Sequence, residues 1–110
     1  MGYDAEQLKL EPPHPGEIIK EDILPELKMT IKDLASHLGV SRVALSELVN
    51  EKRSVSMEMA QRLGKAFGNG TRFWLALQMQ YDIWRAEQIS KVSARPLKWK
   101  TSNAAQQSRP

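Results

Sequence analysis

Apolar residues along this chain recur with the spacing of α-helices, and no stretch of useful length alternates as a β-strand does. The clearest case is residues 31–38, where Ile31, Leu34, Ala35 and Leu38 follow the i, i+3, i+4, i+7 spacing of one helix face. Four more helices are predicted: one beginning near residue 15, one after residue 41, one after residue 56 and a longest one through about residue 88. The pattern therefore predicts an all-α fold of five helices.

Residues that typically begin or end helices stand between these segments. The predicted N-caps are Thr30, Ser41, Ser56 and Thr71. Their hydroxyl oxygens can accept a backbone N–H of the first helical turn. Gly39 is predicted to end the second helix in the left-handed conformation, and Asn50 to end the third in the same way. Pro25 is predicted to stop or kink the first helix near Leu24.

The second and third predicted helices are short and are joined by Leu-Gly-Val-Ser at residues 38–41. Two such helices can form a helix-turn-helix, whose second helix enters the DNA major groove with its N-terminal end foremost. Arginine can bond a guanine there, valine can contact a thymine methyl, and glutamate can accept from cytosine. The predicted base-reading residues are Ser41, Arg42, Val43, Ser46 and Glu47. A plain helical hairpin within a bundle remains the alternative at this point.

The charge distribution agrees with a nucleic-acid partner. Residues 1–29 sum to −4 and residues 30–65 to +2, so the basic bias coincides with the two short helices. The predicted phosphate-contacting residues are Thr30, Lys32, Lys52 and Arg53, which flank them. Residues 91–110 hold five basic residues and no acid. The predicted organisation is a flexible N-terminal arm at 1–13, a DNA-binding domain at 14–90 and a basic, disordered tail at 91–110.

The fifth predicted helix is apolar around most of its circumference, so it is expected to be buried on more than one side. A small domain covers one side, and a second copy of the chain would cover the other. The predicted dimer-interface residues are Phe73, Trp74, Leu77, Tyr81 and Trp84. Two recognition helices related by a two-fold axis would bind an inverted-repeat operator. The alternative is that the first helix covers the second face.

Composition excludes several other functions. The 110 residues include no cysteine, which rules out disulfides, a thiol nucleophile and cysteine-based zinc sites and suits the cytoplasm. No apolar run approaches the ~20 residues of a membrane span, so no membrane partner is expected. His14 and Glu17 have the spacing of a helical metal pair, but two ligands do not close a zinc site. His14 is instead predicted to cap the first helix. No nucleophile setting or phosphate-binding loop is present, so neither enzymatic activity nor a cofactor is expected.

The run LAxxLGVSxxxLSxLVNxKRxxSxxMAxRLxKxFG, at residues 34–68, resembles the lambda-repressor-like, XRE-type DNA-binding domain. The preceding HPGEII and the following FWLALQMQYD extend the resemblance over about residues 14–88 and make it most similar to the HigA family of antitoxins, or virulence-associated protein I-like regulators. Many relatives have Gly after the Asn of the NxKR motif, where this chain has Glu51. That difference places an acid near the DNA backbone.

The resemblance implies a five-helix domain that binds its own operator as a homodimer. It also implies a HigB toxin as partner, a small RelE-like ribonuclease that cleaves mRNA. By position, the predicted base-reading and phosphate-contacting residues match those of the family. Two alternatives remain: a stand-alone XRE-type transcriptional regulator, and a helical interaction adaptor that does not bind DNA.

Overall fold

The computed structural model describes residues 11–99, all of whose helices are α-helical apart from one π-helical section. Helix α1 has an α-helical start at Pro15–Ile18, a π-helical section at Ile19–Ile23 and an α-helical end at Leu24–Leu27. The other helices are α2 (Ile31–Leu38), α3 (Arg42–Val49), α4 (Met57–Phe67) and α5 (Thr71–Ile89). The described part is thus the all-α, five-helix architecture that the sequence predicts. The predictions for residues 1–10 and 100–110 lie outside the described residues.

Of the two predicted effects of Pro25, a stop or a kink near Leu24, the stop does not occur, because α1 continues to Leu27 through a local distortion of the helix. The Leu24 N–H bonds to the Ile19 carbonyl, five residues back, which makes a wider π-helical turn. This turn lies directly before Pro25, where a regular α-helix would press the proline ring against the carbonyl of Glu21. The helix therefore continues past the proline and ends at Lys28, which is left-handed with φ 55°.

The predicted caps of the two short helices are confirmed. Thr30 Oγ1 accepts the Asp33 N–H at 3.0 Å at the start of α2, and Ser41 Oγ accepts the Ala44 N–H at 3.0 Å at the start of α3. Gly39 ends α2 with φ 77°, as predicted. Helix α2 and helix α3 are therefore separated by a turn of three residues, the geometry of a helix-turn-helix.

The turn after α3 differs from the prediction. Asn50 has φ −95° and is not left-handed, whereas Glu51 has φ 61°. Asn50 instead turns its side chain back, and its Nδ2 donates to the Ser46 carbonyl oxygen at 2.8 Å. The left-handed position thus falls on a residue with a Cβ, which is strained relative to glycine.

Helix α4 begins as predicted, because Ser56 Oγ accepts the Met59 N–H at 3.1 Å. At the start of this helix Met59 is buried, at 7% exposed, whereas Met57 is 60% exposed. The N-cap of α5 is Gly70 rather than Thr71, and no side chain caps that helix end.

The core lies where the five helices meet. Its central side chain is Trp74 of α5, which is completely buried and donates from Nε1 to the Asn69 side-chain oxygen at 2.8 Å. The largest other fully buried aliphatic side chains are those of Ile19, Leu34, Leu45, Leu48, Val49 and Leu63. Buried Gln78 ties α5 to the loop before α4, because its Oε1 accepts the Val55 N–H at 2.8 Å.

Gly16 sets the distance between α1 and α3. A Cβ at this position would lie 1.8 Å from the carbonyl oxygen of Leu48. Only glycine allows the backbones of α1 and α3 to approach this closely. The inner side of α3 is therefore seated directly on the backbone of α1.

Residues 90–99 follow α5 without regular secondary structure, and all of them are exposed. Val92, Leu97 and Trp99 are the large apolar side chains of this segment.

Candidate nucleic-acid interface

An open concavity of about 450 Å³ lies between the start of α2 and the outer face of α3. It is called the α2–α3 concavity here, and it is lined by residues 30–32 together with Arg42, Val43, Ser46 and Glu47. The structure thus brings together two predicted phosphate-contacting residues and four predicted base-reading residues. Lys32 and Arg42 give it two positive charges against the single carboxylate of Glu47.

The front of α3 carries the most accessible of these side chains. Arg42 is exposed, and Val43 is 62% exposed although it is apolar. An apolar side chain held out in solvent at the start of a helix is available for contact with a thymine methyl, and the guanidinium beside it can donate two hydrogen bonds. Ser41 lies one residue earlier and outside the concavity lining; its Oγ already serves as the cap of α3.

Farther along α3, Ser46 and Glu47 are half-buried and bonded to the following turn. Asn50 Nδ2 lies 3.4 Å from Ser46 Oγ. Arg53 donates to the same oxygen of Glu47, Oε1, from Nε at 3.0 Å and from Nη2 at 2.6 Å. The predicted base-reading acid and a predicted phosphate-contacting arginine are therefore each other's partner in the free chain.

Lys52 is not brought to the α2–α3 concavity. It lines a separate cavity of about 370 Å³ with His14, Glu51, Tyr81 and other residues of α5. Ile31, which is not among the predicted site residues, also lines the α2–α3 concavity while packing against the core. Ile31 belongs to the apolar stripe of α2, and that spacing predicts burial in the core. Spacing alone does not show that a residue at the edge of the buried face also lines a surface concavity.

His14 lies at the junction between α1, α5 and the turn after α3. It is 3% exposed, and its Nδ1 accepts the Gly16 N–H at 2.9 Å, which confirms its predicted role as the cap of α1. Burial lowers the pKa of His14 below its usual value, against the opposing influence of the carboxylates of Glu51, Asp82 and Glu17. The neutral ring is therefore the form that the fold favours.

The predicted interface residues of α5 fall on different sides of that helix. Trp74 is completely buried within the chain, so it belongs to the core and cannot face a partner. Tyr81 is half-buried and packs edge to face on His14, with ring centroids 4.8 Å apart. Phe73, Leu77 and Trp84 recur at helical spacing on one flank, with Phe73 42% exposed.

A second exposed apolar flank of α5 carries Met79 and Ile83, which are 62% and 51% exposed. Beside it lies a cavity of about 500 Å³ lined by Thr71, Arg72, Leu75, Ala76 and Met79. The apolar surplus on α5 noted in the sequence is therefore real, but it divides into two flanks rather than one face.

Within residues 11–99, no group of three or more His, Cys, Asp or Glu side chains is arranged to hold a metal ion. No helix in that range is both long enough and apolar enough to cross a bilayer.

The arrangement of α2 and α3 defines the class of the protein, a helix-turn-helix protein in which α3 is the candidate recognition helix. Residues 19–74 match the helix-turn-helix family. The chain is 50% identical over 80 residues to virulence-associated protein A' of Dichelobacter nodosus, covering 72% of this chain and 69% of that relative.

Two solved structures are similar over most of the fold. An addiction module antidote protein of the HigA family from Coxiella burnetii is 36% identical with a TM-score of 0.70, covering 78% of this chain and 100% of that one. The Pseudomonas aeruginosa antitoxin HigA, solved with the higBA promoter, is 35% identical with a TM-score of 0.69, covering 79% and 100%. The chain belongs to the helix-turn-helix family, in the group that includes the virulence-associated proteins and the HigA antitoxins.

Proposed function

We propose that this protein is a sequence-specific DNA-binding repressor that acts as the antitoxin of a HigBA-type system. The observation that carries the DNA-binding part is the α2–α3 concavity, where exposed Arg42 and Val43 stand at the front of a capped recognition helix. The HigA of Pseudomonas aeruginosa, which shares the fold, was solved with promoter DNA. A protein with this function works in the cytoplasm, where its operator DNA lies.

In the proposed complex α3 enters the major groove with its N-terminal end foremost. Ser41, Arg42, Val43, Ser46 and Glu47 are the proposed base-reading residues. Thr30, Lys32, Lys52 and Arg53 are the proposed phosphate contacts. Thr30 and Lys32 line the concavity beside the reading face, which supports a position where the DNA backbone passes.

The protein is proposed to bind as a homodimer through α5. The flank of Phe73, Leu77 and Trp84 carries large apolar side chains that four short helices leave partly exposed. A two-fold axis would let the same flank cover itself. Successive recognition helices would then meet half-sites ~34 Å apart, one helical turn of B-DNA or a multiple of it, within an inverted repeat.

The proposed protein partner is a HigB-type toxin, a small RelE-like ribonuclease that this chain would neutralise without having enzymatic activity of its own. Its support is the similarity to HigA antitoxins. A stand-alone regulator is the second candidate, because a relative in Escherichia coli that is 40% identical over 81 residues is described only as a transcriptional regulator.

Selection of bound duplexes from a randomised pool tests the DNA-binding part. An inverted repeat should emerge, and its affinity should fall steeply with salt. Absence of any preferred sequence would favour an interaction adaptor. Co-expression with the product of a neighbouring small gene tests the antitoxin part: a stable complex and restored growth support it, whereas a neighbourhood without a growth-arresting gene favours the stand-alone regulator.

A further inference from the structure

The ion pair formed by Glu47 and Arg53 lies at the candidate DNA-binding surface. Glu47 lines the α2–α3 concavity from α3. Arg53 reaches the Glu47 carboxylate from the loop beyond the recognition helix, and it lines the neighbouring cavity with His14 and Lys52. Both Arg53 donors converge on Oε1 of Glu47, and Oε2 has no hydrogen-bond partner among residues 11–99. The two side chains are 43% and 47% exposed. Exposed pairs of this kind contribute little to folding stability, so stability does not account for an acid on this face.

A carboxylate on a surface that meets DNA has two opposite effects. It repels phosphates, and here it also neutralises the arginine that would otherwise attract them. Both effects lower affinity for any DNA sequence. They are offset only where a base edge offers a hydrogen-bond donor to the carboxylate, as the amino groups of cytosine and adenine do in the major groove. Guanine and thymine present acceptors at the corresponding positions, which would leave the carboxylate unpaired.

We propose that Glu47 is a specificity-determining residue of the DNA interface, one that penalises non-operator DNA both through its own carboxylate and through its hold on Arg53. The inference rests on the proposed DNA-binding function and adds to it a role for a negative charge. Glu47 contributes to selectivity mainly by what it rejects, as specificity in other interfaces often requires. Arg53 is then a phosphate contact whose availability Glu47 controls.

The test compares Glu47→Gln with the unmutated chain on two duplexes, the selected operator and a scrambled sequence of equal length, at one fixed salt concentration. This substitution keeps the size of the side chain and removes its charge. The expected result is tighter binding to the scrambled duplex and a fall of about tenfold in the ratio of the two affinities. Thermal unfolding of both proteins checks that the fold is unchanged.

A matched control separates this role from a general change in net charge. Glu58 and Arg62 form a second exposed pair, with Glu58 Oε2 2.8 Å from Arg62 Nη2, outside the α2–α3 concavity. Glu58→Gln should leave the ratio of affinities unchanged. Should Glu47→Gln shift both affinities by the same factor, or leave both alone, Glu47 has no role in specificity.

A double-mutant cycle tests the part that runs through Arg53. In an Arg53→Gln background, Glu47→Gln should raise affinity for the scrambled duplex less than it does when Arg53 is present. Equal effects in the two backgrounds would overturn the hold on Arg53. A protein that selects no operator at all would instead overturn the proposed DNA-binding function, so the two failures are distinguishable.

Discussion

The rings of His14 and Tyr81 meet edge to face, with centroids 4.8 Å apart, and this contact joins the start of α1 to the middle of α5. On its other side, His14 accepts the Gly16 N–H through Nδ1. The nitrogen that receives this hydrogen bond is the one that must take up a proton when the ring becomes charged. Protonation of His14 therefore removes the cap of α1 and places a charge in a buried position.

Stability should accordingly depend on pH through His14. Because burial lowers its pKa in the folded chain, the unfolded chain binds more protons, and the free energy of unfolding rises with pH in this range. The contribution is complete above the unfolded pKa of about 6.5 and is lost as pH falls from there towards the lower folded pKa. Urea unfolding at pH 7.5 and pH 5.5 measures the difference.

His14→Asn isolates this contribution, since the amide Oδ1 takes the place of Nδ1 and can still accept the Gly16 N–H but does not titrate over this range. The variant should lose less stability on acidification than the unmutated chain. His37→Gln, which replaces an exposed histidine on α2, is the control and should retain the full pH dependence. The same pH dependence in all three proteins would contradict the assignment to His14.

Replacing Glu51 by glycine should stabilise the fold. Glu51 has φ 61°, a conformation that costs a residue with a Cβ about 1–2 kcal/mol. Glycine relieves this strain, but its greater freedom in the unfolded chain lowers the free energy of unfolding by about 0.5–1 kcal/mol. A net gain of between about 0 and about 1.5 kcal/mol is expected in the free energy of unfolding measured with urea. Glu51→Ala removes the charge and keeps the strain, so a glycine variant no more stable than the alanine variant would refute the explanation.

Trp74→Ala should cost about 3–5 kcal/mol of stability, because the indole is completely buried and bonded to Asn69. Phe73→Ala, one residue earlier and 42% exposed, should cost clearly less. Thermal unfolding compares the two. A charged residue at position 74 is expected to prevent folding rather than to give a folded monomer. Equal losses of stability from the two alanine variants would contradict the assignment of Trp74 to the core and Phe73 to the exposed flank.

Arg42 and Lys32 should differ in the way they affect DNA binding. Arg42→Ala is expected to cost about 1–3 kcal/mol on the operator and to relax preference at one base pair. Lys32→Ala should weaken operator and scrambled duplexes alike and reduce the salt slope by about 1. Affinities measured over a range of salt concentrations distinguish base reading from phosphate contact; a reversal of the two patterns would exchange their roles.

The two apolar flanks of α5 can be separated by sedimentation. Phe73→Glu should give a folded monomer with poor operator affinity, because it places a charge on the flank proposed to meet the partner. Met79→Glu changes the second flank and should leave the dimer intact. A monomer after Met79→Glu and a dimer after Phe73→Glu would move the interface to the other flank, and an unmutated monomer that binds DNA as one unit would exclude the dimer.

Features that depend on one residue and its nearest neighbours along the chain could be predicted from the sequence. Thr30 and Ser41 cap their helices because the short hydroxyl side chains reach the nearest free N–H groups, and Gly39 is left-handed because it has no Cβ. In both caps the hydroxyl accepts the N–H of the residue three positions later in the chain. Local chemistry therefore predicted where the two short helices begin and where the first of them ends, but it left a plain helical hairpin open as the alternative.

Features that depend on packing between helices, or on the path of a turn, could not be predicted from the sequence. Periodicity predicted that α5 is apolar around most of its circumference, but it could not specify that Trp74 packs in the core rather than against a partner. In the turn after α3, Asn50 uses its side chain on Ser46, and the left-handed conformation passes to Glu51. The pairing of Glu47 with Arg53 depends on where that turn leads, which no spacing in the sequence specifies.

The close approach of Gly16 to Leu48 has a consequence for how new binding preferences could arise in this scaffold. Helix α3 is held from behind by backbone contact and by buried aliphatic side chains, while Arg42 and Val43 take no part in the core. Residues on the outer surface of α3 can thus be substituted with little loss of stability. A library varied at those outer positions should yield many folded proteins with altered preferences, which makes the chain a suitable starting point for engineering orthogonal repressors.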